Sequence, residues 1–359
     1  MSCLPRPGAV PTEAEAGLGA VVPSDATSRR ADFAELSRLV RDRDLLVRRG
    51  GYYAVKIPTV VAALGALVAV VVVLGDTWWN LLPAVGLAFV LAQIGFLGHD
   101  AGHRQVWSHR RANDTTGLVL TNLLSGFSFA WWQSKHSRHH AHTNSEGRDP
   151  DIAAGALVFT PDQVGECGRF GRWFAGIQPF MLVPLLFLEA LNLHVASVRA
   201  LVGRRDRAAL VEAGLLAIHA GIFFVAPFLV LSPLRAAVFV VVSQALFGFY
   251  LGASFLPNHV GMPTVGDDDD RGFLRRQVQS SRNLSGPAVV GFLFGGLDSQ
   301  IEHHLFPTMP RGNLRRARVV VRGFCAEHEI PYAEQSLLHA YREVVLHLRT
   351  VGGGRGTVG

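Results

Sequence analysis

Fifteen histidines occur in 359 residues, and they are unevenly placed. His99 and His103 stand four positions apart in Gly98-His99-Asp100-Ala101-Gly102-His103. His136, His139 and His140 follow the pattern i, i+3, i+4, and Gln300, His303 and His304 repeat it in Gln300-Ile301-Glu302-His303-His304. On a helix each set shares one face. His259 comes directly after an apolar run, in Pro257-Asn258-His259-Val260-Gly261. Imidazoles crowded on one face lose hydration and repel one another when protonated, and folding requires no such arrangement. A bound metal removes the cost. Eight imidazoles exceed the four ligands of a structural zinc site, and the three cysteines, Cys3, Cys167 and Cys325, are too scattered to supply its thiolates. The set suits two ions, and imidazole-rich sites suit iron, copper or zinc. Isolated histidines such as His219 and His347 read as hydrogen-bonded structural residues.

The elements that carry these residues must come from an unusually apolar chain. It has 49% hydrophobic and 17% charged residues, a net charge of +6 and a mean hydropathy of +0.26; an ordinary soluble domain carries about 25% charged residues. Residues 57–75 contain no charge, and residues 81–98 hold Gln93 as their strongly polar side chain. Each matches the roughly 20 residues that cross a bilayer. Asp76-Thr77-Trp78-Trp79-Asn80 joins them in a helical hairpin, and residues 213–231 and 236–256 form a second one around Ser232-Pro233-Leu234-Arg235. Arginines flank the open ends of both hairpins, which puts those ends in the cytoplasm. Residues 1–28 read as a disordered cytoplasmic tail, 29–349 as one membrane domain and 350–359 as a flexible C-terminal tail. Within 29–49, Phe33, Leu36, Leu39 and Val40 repeat at a helical period, consistent with a helix on an anionic membrane surface or a solvated surface helix.

A shared centre constrains the topology. All four histidine groups must lie on one side of the membrane, so an even number of crossings separates them. The two weaker apolar stretches, 116–132 and 176–195, must therefore be interfacial or re-entrant. Asn122, Ser125, Pro179, Pro184 and Glu189 already interrupt them. The expected fold is all-α and integral to the membrane, with four spans in two hairpins and a cytoplasmic helical cap holding a two-metal site.

His-Asp-Ala-Gly-His, His-Ser-Arg-His-His and Gln-Ile-Glu-His-His, in that order and separated by hairpins, resemble the three histidine boxes of the membrane fatty acid desaturases. The resemblance extends through residues 139–151, 258–263 and 300–315, covers roughly 29–349, and is nearest the bacterial acyl-lipid and acyl-CoA branch, linoleoyl-CoA desaturases included. It implies a non-haem centre of two iron ions that uses O2 and two electrons to desaturate a fatty acyl chain, in a bacterial cell membrane with the site facing the cytoplasm. The implied ligands are His99, His103, His136, His139, His140, His259, His303 and His304. Gln300 stands where other desaturases have a further ligand histidine, so it would hold a water or sit behind the ligands. Asp100, Asp149, Asp151, Asp298 and Glu302 are candidates to accept the second ring N–H of a ligand, and Asn258 adjoins His259. The residues contain no His-Pro-Gly-Gly haem motif, no cysteine cluster and no dinucleotide fingerprint, so electrons are expected from a separate protein, a ferredoxin or similar carrier with an NAD(P)H reductase. Arg311, Arg315, Arg316, Arg318 and Arg322 could dock such a carrier or grip anionic headgroups. No nucleic-acid partner is expected. Two rivals remain open from sequence: a hydroxylase or ketolase on the same scaffold, and a histidine-rich metal transporter. The transporter fits less well because its ligands would lie mid-membrane.

Overall fold

The computed structural model describes residues 24–353 except 267 and 268. The expected N-terminal tail lies outside the described residues as far as residue 23, and from Ser24 the chain is helical, forming α1 (Ser24–Asp42). The first hairpin is α2 (Gly50–Leu74), a single 3-10 turn at Trp78–Asn80, and α3 (Leu81–Gly102). The two helices are equally apolar but have different surroundings. α2 buries Tyr53, Val60 and Leu64 and exposes a valine face that includes Val55, Val68 and Val73. α3 is buried nearly all round from Leu87 to Ala101, as an all-apolar helix at the centre of a bundle must be.

After α3 comes α4 (Arg110–Leu118), which runs into a π-helical stretch, Val119–Ser125, packed along α3. The approach is close because α3 has glycine there: a Cβ on Gly98 would lie 2.4 Å from the Thr121 methyl. The chain reverses at Gly126, whose φ of +83° favours glycine, and returns as α5 (Phe129–Ala141). The stretch expected to be interfacial or re-entrant is thus a helical hairpin packed inside the protein, with Asn113, Thr121, Asn122 and Ser125 buried.

α6 (Pro161–Glu166), α7 (Arg169–Phe187) and α8 (Glu189–Leu201) follow. The second hairpin comprises α9 (Arg207–Ala220), a π-helical stretch Gly221–Val225, α10 (Pro227–Val230) and α11 (Pro233–His259), with α11 packed along α3. Asp76 ties the two outer turns together by accepting from the Ser232 amide at 2.8 Å and from Arg235 at 2.6 Å. Among the described residues five helical segments are long and apolar enough to cross a membrane: the four predicted and α7, which continues through Pro179 and Pro184.

The remaining described elements, together termed the cap, are α12 (Gly272–Gln279), β1 (Asn283–Ser285), α13 (Ala288–Leu293), α14 (Gln300–Leu305), α15 (Arg311–Glu327), β2 (Glu334–Ser336) and α16 (Leu337–Gly352). β1 and β2 pair in parallel with Asn283 opposite Glu334. Residues 354–359 of the expected C-terminal tail lie outside the described residues. The helical period at Phe33, Leu36 and Val40 faces neither lipid nor water; α1 packs these side chains onto Ile301, Leu305, Leu314 and Val321 in the cap core. α7 lies against α16, where Gln178 accepts from the Val158 amide at 3.0 Å and donates to the Leu348 carbonyl at 3.0 Å.

A buried ion pair fastens the cap to the membrane helices. Arg311, at the start of α15, meets Asp100 of α3 at 2.9 Å and donates to the Phe96 carbonyl at 2.6 Å. Tyr53 of α2 donates to the same carboxylate at 3.1 Å. Arg311→Ala leaves that carboxylate buried without its cation, so we expect a loss of about 3–5 kcal/mol. Tyr53→Phe, which removes one neutral donor, should cost about 1 kcal/mol. Thermal midpoints of the detergent-solubilised variants check the order.

Candidate metal centre

Each histidine group sits where a helix ends beneath the cap. His99 is in the last turn of α3 and His103 caps it; α5 carries His136, His139 and His140 in its final turns; His259 is the last residue of α11; His303 and His304 belong to α14. The fold brings all eight together as two adjoining groups. Ring nitrogens of His99, His103, His136, His140 and His303 lie within 4.8 Å of one another, and so do those of His139, His259 and His304. Each box divides between the groups: His136 and His140 join the first and His139 the second, and consecutive His303 and His304 separate in the same way. The groups touch where the rings of His140 and His304 stack at 4.2 Å.

The donor atoms fit a metal. Nε2 of His136 lies 2.9 Å from Nε2 of His103 and 3.0 Å from Nε2 of His140. Ligand atoms at right angles on bonds of about 2 Å are about 3 Å apart. Nε2 of His99, His303 and His304 is buried without a protein partner, which is costly unless something else occupies the lone pair. An all-imidazole donor set suits iron, copper or zinc.

The second ring nitrogens are held in turn. His139 Nδ1–H donates to Asp149 at 2.9 Å, and Asp149 is itself fixed by the amides of Asn144 and Asp151. His259 Nδ1–H donates to the Ser280 carbonyl at 3.1 Å. His304 Nδ1–H meets Gln277 Oε1 at 3.0 Å, and Gln277 also donates to the His140 carbonyl at 2.9 Å. These bonds fix the tautomers that turn Nε2 inward. Gln300 lies beside the group of three, with Nε2 2.9 Å from His259 Nε2 and Oε1 3.4 Å from the Asn258 amide.

The sequence pattern of the fatty acid desaturase family matches residues 76–336. The chain belongs to that family, whose members are oxidoreductases. It is 29% identical over 337 residues to a "Delta(8)-fatty-acid desaturase" of Helianthus annuus, covering 89% of this chain and 72% of the relative. It is 31% identical over 332 residues to an "Acyl-lipid (9-3)-desaturase" of Physcomitrium patens, covering 89% and 62%. It is 32% identical over 278 residues to "Delta(6)-fatty-acid desaturase fat-3" of Caenorhabditis elegans, covering 73% and 62%. The chain therefore spans between about three fifths and three quarters of these relatives.

Within this chain the acidic residues singled out from sequence divide into two kinds. Asp149 accepts directly from a ring of the cluster, His139, and Asp151 supports it, 3.4 Å from His139 Nδ1 and 2.6 Å from Lys135. Asp100, Asp298 and Glu302 do not receive a ligand N–H. Asp100 Oδ1 is 3.7 Å from His99 Nδ1, too far for a hydrogen bond, and its carboxylate serves Arg311. Asp298 is gripped by Arg315 and Arg318, while Glu302 accepts from Asn283 and the Tyr332 hydroxyl, each at 2.8 Å. These three fasten helices. Gln277 and the Ser280 carbonyl went unseen in the sequence, because an amide in a short amphipathic helix and a backbone oxygen carry no motif. Three of the arginines that follow the third box are engaged by carboxylates of the fold, Arg311 with Asp100 and Arg315 and Arg318 with Asp298, while Arg316 is exposed and Arg322 reaches Glu334 from an exposed position.

Burial, reinforced by neighbouring rings, holds His136, His140, His303 and His304 well below the ordinary imidazole range, in the neutral form that ligates. Burial acts on His139 in the same direction, but Asp151 and Asp149 outweigh it and raise that residue. Asp149→Ala and Gln277→Ala should each weaken metal retention on the order of 10- to 100-fold, read as metal content after dialysis against a chelator. Asp298→Ala should lower thermal stability and leave metal retention unchanged.

Proposed function

We propose that this desaturase removes two hydrogens from a fatty acyl chain at two non-haem iron ions, with O2 as oxidant and two electrons from a protein outside these residues. The reading rests above all on the sorting of eight imidazoles into groups of five and three, His99, His139, His303 and His304 buried and the others half-buried, where the helix ends meet the cap. The names of the relatives, which specify fatty acyl and acyl-lipid desaturation, support the substrate class. In the balanced reaction the acyl chain gives two hydrogens, two electrons and two protons arrive from outside, and O2 leaves as two waters. Iron would supply the activation of O2 that an unactivated C–H bond demands.

The protein's own residues supply position and dryness. His99, His103, His136, His140 and His303 would hold one ion, and His139, His259 and His304 the other, with Gln300 beside it. Asp149, Gln277 and the Ser280 carbonyl keep the ligand nitrogens aimed inward. Trp132 stacks on His136 at 4.7 Å, and Phe255 lies 6.5 Å from His99; these rings wall the centre on the membrane side and keep water out.

We place α2, α3, α9 with α10, and α11 across the membrane, with their open ends and the centre on the cytoplasmic side. The flanking arginines support this orientation. α7 is assigned to the interface: its polar ties run to α16, which carries Arg342, Glu343 and Arg349, while Phe170, Trp173 and Phe180 are exposed for lipid contact.

Protein purified from iron-replete membranes should contain close to two irons per chain and no haem. One zinc per chain with full activity would overturn the reading. His139→Ala and His303→Ala should abolish desaturation, assayed as new double bonds in the lipids of a desaturase-deficient host, while the protein still accumulates. His347→Ala should be nearly neutral, since that ring donates only to the Phe159 carbonyl at 2.9 Å. Turnover in vitro should require an added electron carrier and reductase, and full activity with NAD(P)H alone would refute the separate donor.

A further inference from the structure

A second polar cluster lies away from the histidine boxes, inside the bundle. Its centre is Glu212 of α9, 2% exposed and five residues beyond Arg207, or about 8 Å along the helix. A carboxylate at that depth in a membrane segment is expensive and persists only where it serves something. Three donors converge on its Oε2: Ser128 Oγ at 2.6 Å, Asn122 Nδ2 at 3.0 Å and the Ala130 amide at 3.4 Å.

Ser128 and Ala130 belong to the N-terminus of α5, the helix that carries three of the ligands, and Asn122 to the π-helical stretch before it. The first amides of a helix have no partner within it. Here each is supplied from outside: Ser128 N–H donates to Ser197 Oγ at 2.8 Å, Phe129 N–H to Asn122 Oδ1 at 3.0 Å, Ala130 N–H to Glu212, and Trp131 N–H to Ser128 Oγ at 3.2 Å. The preceding turn is pinned by two further histidines. His194 donates to the Gly126 carbonyl at 2.6 Å and His219 to the Leu123 carbonyl at 3.0 Å. The carboxylate also complements the positive end of the α5 dipole.

We propose that Glu212 is a positioning residue for the metal centre, fixing the tilt and register of α5 from its buried end and thereby the aim of His136, His139 and His140. The inference rests on the reading of those residues as iron ligands. No ligand of α5 contacts Glu212, so its effect travels through the helix as a rigid body. About two turns separate Ala130 from His136, and a small rotation at the cap displaces all three imidazoles together.

The test uses the full chain in native membranes or detergent and compares wild type, Glu212→Gln, Glu212→Ala and Ser128→Ala. Iron remaining after a timed chelator challenge is measured beside kcat and KM for the acyl substrate. Glu212→Ala should lose iron about tenfold faster and show a lower kcat with an unchanged KM. Glu212→Gln keeps one oxygen for the same three donors and should restore most of both properties. If Glu212→Ala fails to accumulate, Ser128→Ala, which deletes the hydroxyl that links the carboxylate to the helix, should still raise the rate of iron loss about threefold. Wild-type iron retention in Ser128→Ala and in any Glu212→Ala that accumulates overturns the proposal. Failure of the wild type itself to hold iron overturns the iron reading together with it.

Discussion

The structure depends on one constraint: eight imidazole lone pairs must face a common space with little water. A neutral imidazole offers a lone pair at one nitrogen only if its other nitrogen carries the proton, and a buried N–H needs an acceptor. The inward convergence of the histidines therefore demands outward partners. Asp149, Gln277 and the Ser280 carbonyl meet that demand for His139, His304 and His259. Those partners need support in turn, which is why Asn144, Asp151 and Thr143 crowd the same region. The cap is the body of residues that makes this arrangement possible at the end of a helical bundle.

The membrane imposes the complementary problem. Helices that end at one level leave unsatisfied backbone groups and a seam that must be closed without exposing polar atoms to lipid. Two buried carboxylates meet this in different ways. Asp100 takes Arg311 from the cap and Tyr53 from the neighbouring span, which fixes the height of α3 and so of His99. Glu212 gathers the start of α5 from the opposite direction. On the far side, the pairing of Asp76 with Arg235 closes the two hairpins at their outer turns. The clustered histidines are therefore held from the cap, from within the bundle and, through the length of α3 and α11, from the hairpin turns.

The histidine sets and the two hairpins were legible because each depends on local information. Ligand spacing follows the helical period, and hydropathy depends on composition over one span. The division of roles among the acidic residues was not legible. Asp149 and Asp298 look alike in sequence, yet one meets a ligand ring and the other two arginines, and those partners lie 10, 17 and 20 residues away along the chain. The same applies to α1, whose apolar period fits a membrane surface as well as a protein groove, and to the arginines after the third box, which read as a free basic face and are largely spent on carboxylates of the fold. An amphipathic pattern states that a face will be covered. It does not state by what.

The sequence by itself determined the chemistry that could occur: which donor atoms are present, that they fall on helical faces, and that two of their carriers, α3 and α11, are long apolar helices. Those are properties of residue type and of spacing along a single helix. Tertiary structure alone decided which imidazoles come together, that His139 parts from His136 and His140 to join His259 and His304, and which carboxylates meet those rings and which bolt helices together. These outcomes depend on the relative height and rotation of helices distant in the chain. Buried pairs such as Asp100 with Arg311, and Glu212 with the start of α5, set those two quantities, and no local pattern encodes them.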